Sequence, residues 1–394
     1  MPSRAGDYTG DSIQVGPFSD CEQILRRVPF FDYPAVYSRF ADEFQAALED
    51  VGHRGAFIQQ SDLEDFEREI AEYTGVAHCV CVSNATDGLQ LAFMAGGLPS
   101  GAEVIISTHT MVATAASIHF AGGVPVPVDV GPDHLIDPSA VEAAITDKTV
   151  AICPTQLNGR TCDMDVLTGI AERHGLDVYE DSAQGLGSKF KGRAAGSFGR
   201  GNCLSFYPAK ILGTLGDGGA VLTDSDEMDA MLRLLRDHGR IDRGDTALWG
   251  FNSRMDNLAA AFLRIQFRHF DETVARRRSI AARYWERLGE APGVVLPPAP
   301  VEDAEHFDTY QNFEIECDFR DALQQGLGER GVGTLQQWGG WPIHRFDKLG
   351  FTQSLPAADA LFDRMLMLPM NMALTDEDVD YVCDSVLEIA EGVA

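Results

Sequence analysis

Lys210 closes the stretch Asn202-Cys-Leu-Ser-Phe-Tyr-Pro-Ala-Lys210 and stands 29 residues beyond Asp181, just ahead of the glycine-rich run Gly213-Thr-Leu-Gly216-Asp-Gly218-Gly219. Asp181 lies in Glu180-Asp181-Ser-Ala-Gln184. A carboxylate and a lysine at the ends of successive strands suit pyridoxal 5'-phosphate (PLP). The amine condenses with the aldehyde, and the carboxylate keeps the pyridine nitrogen protonated so that the ring accepts electrons. Gln184 is then placed to donate to the ring oxygen. Taken alone, Asp181 would equally cap a turn at a strand end, and Lys210 would be a solvated loop lysine. Three features together oppose those plainer readings: Ser205 five residues before the lysine, Pro208 shaping the turn, and glycines that let the backbone pass close to a ligand.

The segment Ser83-Asn84-Ala85-Thr86-Asp87-Gly88 joins a strand to a helix. A helix N-terminus with free N–H groups is a phosphate site, here with the backbone of Ala85 and the hydroxyl of Thr86. Plain N-capping by Thr86 or Asp87 would use the same residues. The glycines after Lys210 do not open a long helix, so they are not the dinucleotide fingerprint, and a nicotinamide oxidoreductase is the weaker reading.

The elements that must carry these residues follow from hydrophobic periodicity. Strands are predicted over His78–Val82, Val104–Ser107, Val124–Val130, Val150–Pro154, Asp177–Tyr179, Cys203–Tyr207 and Ala220–Thr223. Helices are predicted over Asp62–Tyr73, Asp87–Ala95, Val112–Ala121, Pro138–Ile145 and Asp165–His174, with a long one from about Arg254 to Leu288 and a closing one over Asp376–Glu391. That order implies α/β architecture: a mostly parallel seven-stranded sheet flanked by helices, with ligands at the carboxyl ends of its strands. The expected division is an N-terminal extension (1–28) that orders against a partner subunit, a large domain (29–253) and a smaller C-terminal α/β domain (254–394).

Composition narrows the partners. The 394 residues carry a formal net charge of −29, which excludes nucleic acid and anionic membranes, since both need a basic face. Only five of the 31 basic residues are lysines. The eight cysteines are scattered through apolar runs, which implies a reduced, cytoplasmic setting and no metal site. No apolar run is long enough to span a bilayer.

At this point the residues resemble a family: the DegT/DnrJ/StrS sugar aminotransferases, PLP enzymes of fold type I, the aspartate-aminotransferase fold. The resemblance rests on Phe57-Ile58, Asn84 to Leu91, Ser107 to Thr114, Glu180 to Gln184, Lys191 to Phe198, Ser205 to Gly219, Arg236 to Gly239, Gly250 to Met255 and Leu368 to Asn371, in family order. It implies Lys210 as the catalytic residue that bonds PLP and moves the proton, Asp181 on the pyridine nitrogen and Gln184 near the ring oxygen. Thr86, the Ala85 backbone and Ser205 would hold the phosphate. Asn252 would reach that phosphate from the other subunit, so the site is complete only in a homodimer.

One position departs from the pattern. Where the family usually stacks an aromatic ring on the cofactor, this chain has Met111, whose sulfur packs on a π-face; His109 is the alternative partner, or a substrate contact. The resemblance further implies L-glutamate as amino donor and a nucleotide-linked sugar, dTDP-4-keto-6-deoxyhexose, as acceptor, giving a 4-amino sugar. A 3-ketosugar or cyclitol acceptor and a non-catalytic PLP-binding regulatory protein are the alternatives. Arg160 and Arg254 are candidates for the diphosphate, and Trp338, in Thr334-Leu-Gln-Gln-Trp-Gly-Gly340, for stacking on sugar or base.

Overall fold

The computed structural model describes residues 26–242, 244–301 and 305–393. Most of the expected N-terminal extension, and Cys21 with it, lies outside the described residues. Strand β1 (His78–Val82) is followed by β2 (Glu103–Ser107), β3 (Val124–Val128), β4 (Thr149–Cys153), β5 (Asp177–Val178), β6 (Glu180–Asp181), β7 (Asn202–Ser205) and β8 (Gly219–Thr223). β5 and β6 are two pieces of one strand broken at Tyr179, whose N–H donates to Ile152 O at 2.9 Å; two residues on, the Asp181 N–H donates to Pro154 O at 3.0 Å. The two four-stranded groups therefore join through this strand into a seven-stranded sheet of order β3-β2-β4-β5/β6-β7-β8-β1. Only β8 runs antiparallel, against both β7 and β1.

The central parallel strands are buried on both faces and read as continuous apolar runs, such as Val-Ile-Ile in β2. The helix Ala85–Ala95 packs onto the sheet so closely that a Cβ at Gly88 would stand 2.6 Å from Cys203 Sγ. β3 ends at Val128, two residues before the sequence expectation, because Asp129 turns the chain and accepts the Val130 N–H at 3.1 Å.

The long helix expected from Arg254 to Leu288 is two helices, Asn257–Phe267 and Phe270–Leu288, interrupted at His269 (φ −110°, ψ 17°). The break redirects the apolar stripe. Phe270 and Val274 join the sheet's core, whereas Ile280, Tyr284 and Leu288 enter a second core with Phe313, Ile315, Leu366, Leu368, Val379 and Val382. Val28 packs into that second core as well, and its N–H donates to Gly331 O at 2.9 Å. The helix Ala41–Arg54, not anticipated from its charged sequence, rests Phe44 on Phe262 with ring centroids 4.8 Å apart.

Candidate active site

A cavity of about 620 Å³ opens at the carboxyl ends of the central strands, and Lys210, Asp181, Gln184, Ser205, Ala85, Thr86, Met111 and Trp338 all line it. The sheet order brings this about: β6, β7 and the start of β8 are neighbours, so the loops carrying Asp181, Lys210 and Gly218 converge.

Lys210 sits in a turn in which its N–H donates to Tyr207 O at 2.8 Å. Gln311 brackets it, accepting the Ile211 N–H through Oε1 at 2.6 Å and donating through Nε2 to Ala209 O at 2.9 Å. Among the described residues the Lys210 amine has no hydrogen-bond partner. Burial pulls its pKa down from the usual 10.5 to about 8, against an opposing pull from the Asp181 carboxylate. A partly neutral amine near physiological pH is what nucleophilic attack and proton transfer require.

Asp181 is buried, and Thr114 donates to its Oδ2 at 2.6 Å. Gln184 accepts at one atom, Oε1, from the Asn158 N–H (2.9 Å), Asn312 Nδ2 (3.3 Å) and Gln337 Nε2 (3.4 Å). With the oxygen so used, the NH₂ group is the part left to donate into the cavity.

At the opposite end, the helix Ala85–Ala95 is capped by Asn84, whose Oδ1 accepts the Asp87 N–H at 2.8 Å. The cap is thus Asn84 rather than Thr86 or Asp87. A helix's first turn leaves its N–H groups free, so those of Ala85 and Thr86 remain for an anion. The strand behind must come very close: a Cβ at Gly219 would lie 2.6 Å from Asn84 C and 2.7 Å from Ala85 N. These features fit PLP: a lysine at one side, a carboxylate with a dedicated donor at the far side, an amide donor between them and a phosphate-sized helix terminus.

Three expected residues lie elsewhere. His109 is fully buried, packed edge-on against Phe362 at 4.9 Å between ring centroids with Nε2 3.5 Å from Glu314, and it does not reach the cavity. Its ring turns toward Glu314 of the strand Phe313–Cys317, while Thr110 and Met111 line the cavity. Arg160 is paired with Asp308 at 2.6 Å and faces a separate small cleft, so its charge is already matched. Arg254 pairs with Asp237 at 2.9 Å. Asn252 is exposed and lines no part of its own chain's cavity. The polar supports Thr110, Thr114, Thr155, Asn158, Gln311, Asn312 and Gln337 were not anticipated; only Thr110 and Thr114, four residues apart, carried any local signal.

The model of the DegT/DnrJ/EryC1/StrS aminotransferase family matches residues 39–387. The chain is 39% identical over 361 residues to the "Erythromycin biosynthesis sensory transduction protein EryC1" of Saccharopolyspora erythraea, covering 90% of this chain and 97% of the relative. It is 38% identical over 373 residues to the "dTDP-3-amino-3,4,6-trideoxy-alpha-D-glucose transaminase" of Streptomyces venezuelae, covering 93% and 97%. Among solved structures, DesV of S. venezuelae in complex with a ketimine intermediate superposes with a TM-score of 0.89 at 38% identity, over 93% of this chain and 99% of that one.

Proposed function

Because the chain belongs to the DegT/DnrJ/EryC1/StrS aminotransferase family and is a PLP-dependent aminotransferase, we propose that it moves an amino group from L-glutamate to a nucleotide-linked ketosugar. The observation that carries the assignment of roles is the convergence of Lys210, Asp181 and Gln184 on one cavity with the helix terminus at Ala85 and Thr86. PLP, when bound, supplies the electron sink.

The chain's own residues do the rest. Asp181, oriented by Thr114, holds a proton on the pyridine nitrogen. Gln184 donates its NH₂ to the ring oxygen. The N–H groups of Ala85 and Thr86, with the Thr86 and Ser205 hydroxyls, bind the phosphate, and Met111 packs over the ring. Lys210 anchors the cofactor and then moves the proton at the substrate carbon, a role matched to its lowered pKa. Trp338, which lines the same cavity, is the candidate to stack on the sugar or base.

Asn252 reaches the phosphate of a second copy. A homodimer is supported by the apolar side chains left on the surface, Phe57, Ile58, Leu215, Ile241 and above all Trp249, which is 96% exposed. The reading places the enzyme in the cytoplasm; no helix among the described residues is long and apolar enough to cross a membrane. A large and a small domain are part of this reading, with the sheet's core running past residue 253 to take in Leu263, Phe270 and Val274.

For the acceptor, the sequence reading gives dTDP-4-keto-6-deoxyhexose and amination at C4. One observation favours C3 instead: the S. venezuelae relative is named for a 3-amino sugar. Incubation with PLP, L-glutamate and either ketosugar, followed by NMR location of nitrogen on the ring, decides between them. Lys210→Ala is the control, expected to fold and to give no aminosugar. Glutamate consumption without product from either sugar would move the acceptor to a cyclitol ketone.

A further inference from the structure

Behind Lys210 lies a second cavity, of about 250 Å³, that shares Phe31, Tyr33, Ala209 and Lys210 with the first. Arg277, from the helix Phe270–Leu288, forms part of its wall and is only 5% exposed. Its Nη1 donates to three main-chain carbonyls, Tyr310 O (3.0 Å), Gln311 O (3.0 Å) and Met370 O (3.1 Å). Its Nε is buried without a partner, and Nη2 makes no hydrogen bond among the described residues.

Among the described residues no carboxylate is paired with this guanidinium. Burial alone acts on it, pulling its pKa down to about 10. That is unusual in a chain with 60 acidic residues, whose other arginines mostly find an Asp or Glu. Asp32 also lines the cavity, but its Oδ1 is occupied capping the helix Tyr33–Arg39 through the Ala35 N–H at 3.0 Å. Arg39 adds a second cation to the wall and leans on Glu272 at 3.4 Å. Arg277 thus keeps N–H groups unpartnered beside the amine that would exchange with an amino acid.

We propose that this side cavity seats a carboxylate of the amino-acid donor, with Arg277 as its anchor through Nη2 and Nε. The assignment rests on the aminotransferase reading with L-glutamate as donor. It gives the donor a charged foothold separate from the sugar's part of the main cavity, whose lining among the described residues contains no arginine and no lysine but Lys210. A guanidinium offering two adjacent N–H groups matches a carboxylate's two oxygens.

The test is calorimetric titration of the holoenzyme with glutarate, a dicarboxylate without an amine, and with uncharged glutaramide. Glutarate should bind saturably and glutaramide should not. Arg277→Gln should weaken glutarate at least tenfold, and raise the KM for L-glutamate equally, while leaving the KM for the ketosugar unchanged. Because Arg277 also ties three carbonyls, Ala35→Phe serves as a second variant: it fills the cavity from the opposite wall with the guanidinium intact, and should weaken glutarate to a similar extent. L-2-aminobutyrate, which lacks the side-chain carboxylate, separates the two sources: a raised KM for it in Arg277→Gln assigns the α-carboxylate, and an unchanged one assigns the γ-carboxylate. Glutarate affinity equal in all three proteins overturns the proposal while leaving the aminotransferase reading in place. Failure of L-glutamate to convert the bound cofactor in the unaltered enzyme overturns the donor assignment, and this proposal with it.

Discussion

Thr114 donates its one hydroxyl hydrogen to Asp181 Oδ2 at 2.6 Å, and this fixes the direction of a chain of hydroxyls behind it. Thr110 Oγ1 lies 2.8 Å from Thr114 Oγ1, and Thr155 Oγ1 donates to Thr110 at 2.8 Å. Each hydroxyl has a single proton to give, so the order runs Thr155 to Thr110 to Thr114 to Asp181, ending on the Asp181 side-chain oxygen. The chain gives the buried Asp181 carboxyl a fixed donor on one oxygen and so fixes its orientation for a partner on the cofactor ring.

Thr114→Val keeps the side chain's shape and removes that donor. A hydrogen bond to a charged group contributes about 1.5–3 kcal/mol, so PLP affinity and kcat should each fall on the order of tenfold or more. Absorbance titration with PLP and steady-state kinetics measure both. Unchanged values would remove Thr114 from the support of Asp181.

Gly219→Ala places a methyl 2.6–2.9 Å from the backbone of Asn84 and Ala85, where no side chain can swing away. Overpacking against backbone costs about 1–3 kcal/mol, occasionally more. The shift should fall on the turn that would bind phosphate. A lowered Tm together with weakened PLP binding is expected, and Gly216→Ala, where a Cβ meets nothing within 4 Å, should show neither.

The sheet strands were legible because buried parallel strands read as short apolar runs; β1, β2 and β4 end within a residue of expectation. Lys210, Asp181 and Gln184 stood out because their chemistry needs those residue types at strand ends. His109 and Arg160 did not behave as expected for a reason that sequence does not carry: their partners, Glu314 and Asp308, lie 205 and 148 residues away. The same distance hid Gln311, which brackets Lys210, and Asn312, which helps to orient Gln184. The break at His269 has no proline or glycine to mark it, and only the pull of two separate cores accounts for it.

His134 gives a stability prediction with a definite sign. Burial would lower its pKa, but hydrogen bonds to Glu314 (2.9 Å) and Glu316 (3.0 Å) outweigh it and raise it to about 10. Glu314, which burial would raise, is held at about 2 by His109 and His134. Arg364 stands 3.8 Å from Glu316 on the far side. A raised histidine pKa contributes stability in full below the unfolded value near 6.5, lost as pH climbs toward 10. The depressed Glu314 contributes above about 4.5, lost as pH falls toward 2. Tm measured in steps from pH 6.5 to 10 should therefore fall in the natural protein and change less in His134→Gln. Parallel curves would show that the cluster does not titrate in that window.

The proposed sharing of the site between subunits can be tested directly, because Asn252 is exposed on its own chain and lines no part of the cavity that holds Lys210. If Asn252 acts on the neighbouring copy, Lys210→Ala and Asn252→Ala each inactivate homodimers through different subunits. In a mixed dimer, one site receives both mutations and the other receives neither. Random reassortment of equal amounts makes about half the dimers mixed, so activity should recover to roughly a quarter of the natural enzyme's. Mixing after mild dissociation and reassociation, then assaying glutamate-dependent amination, measures this directly. An Asn252 acting on its own chain's site predicts no recovery, since every mixed dimer would then hold one damaged residue in each site.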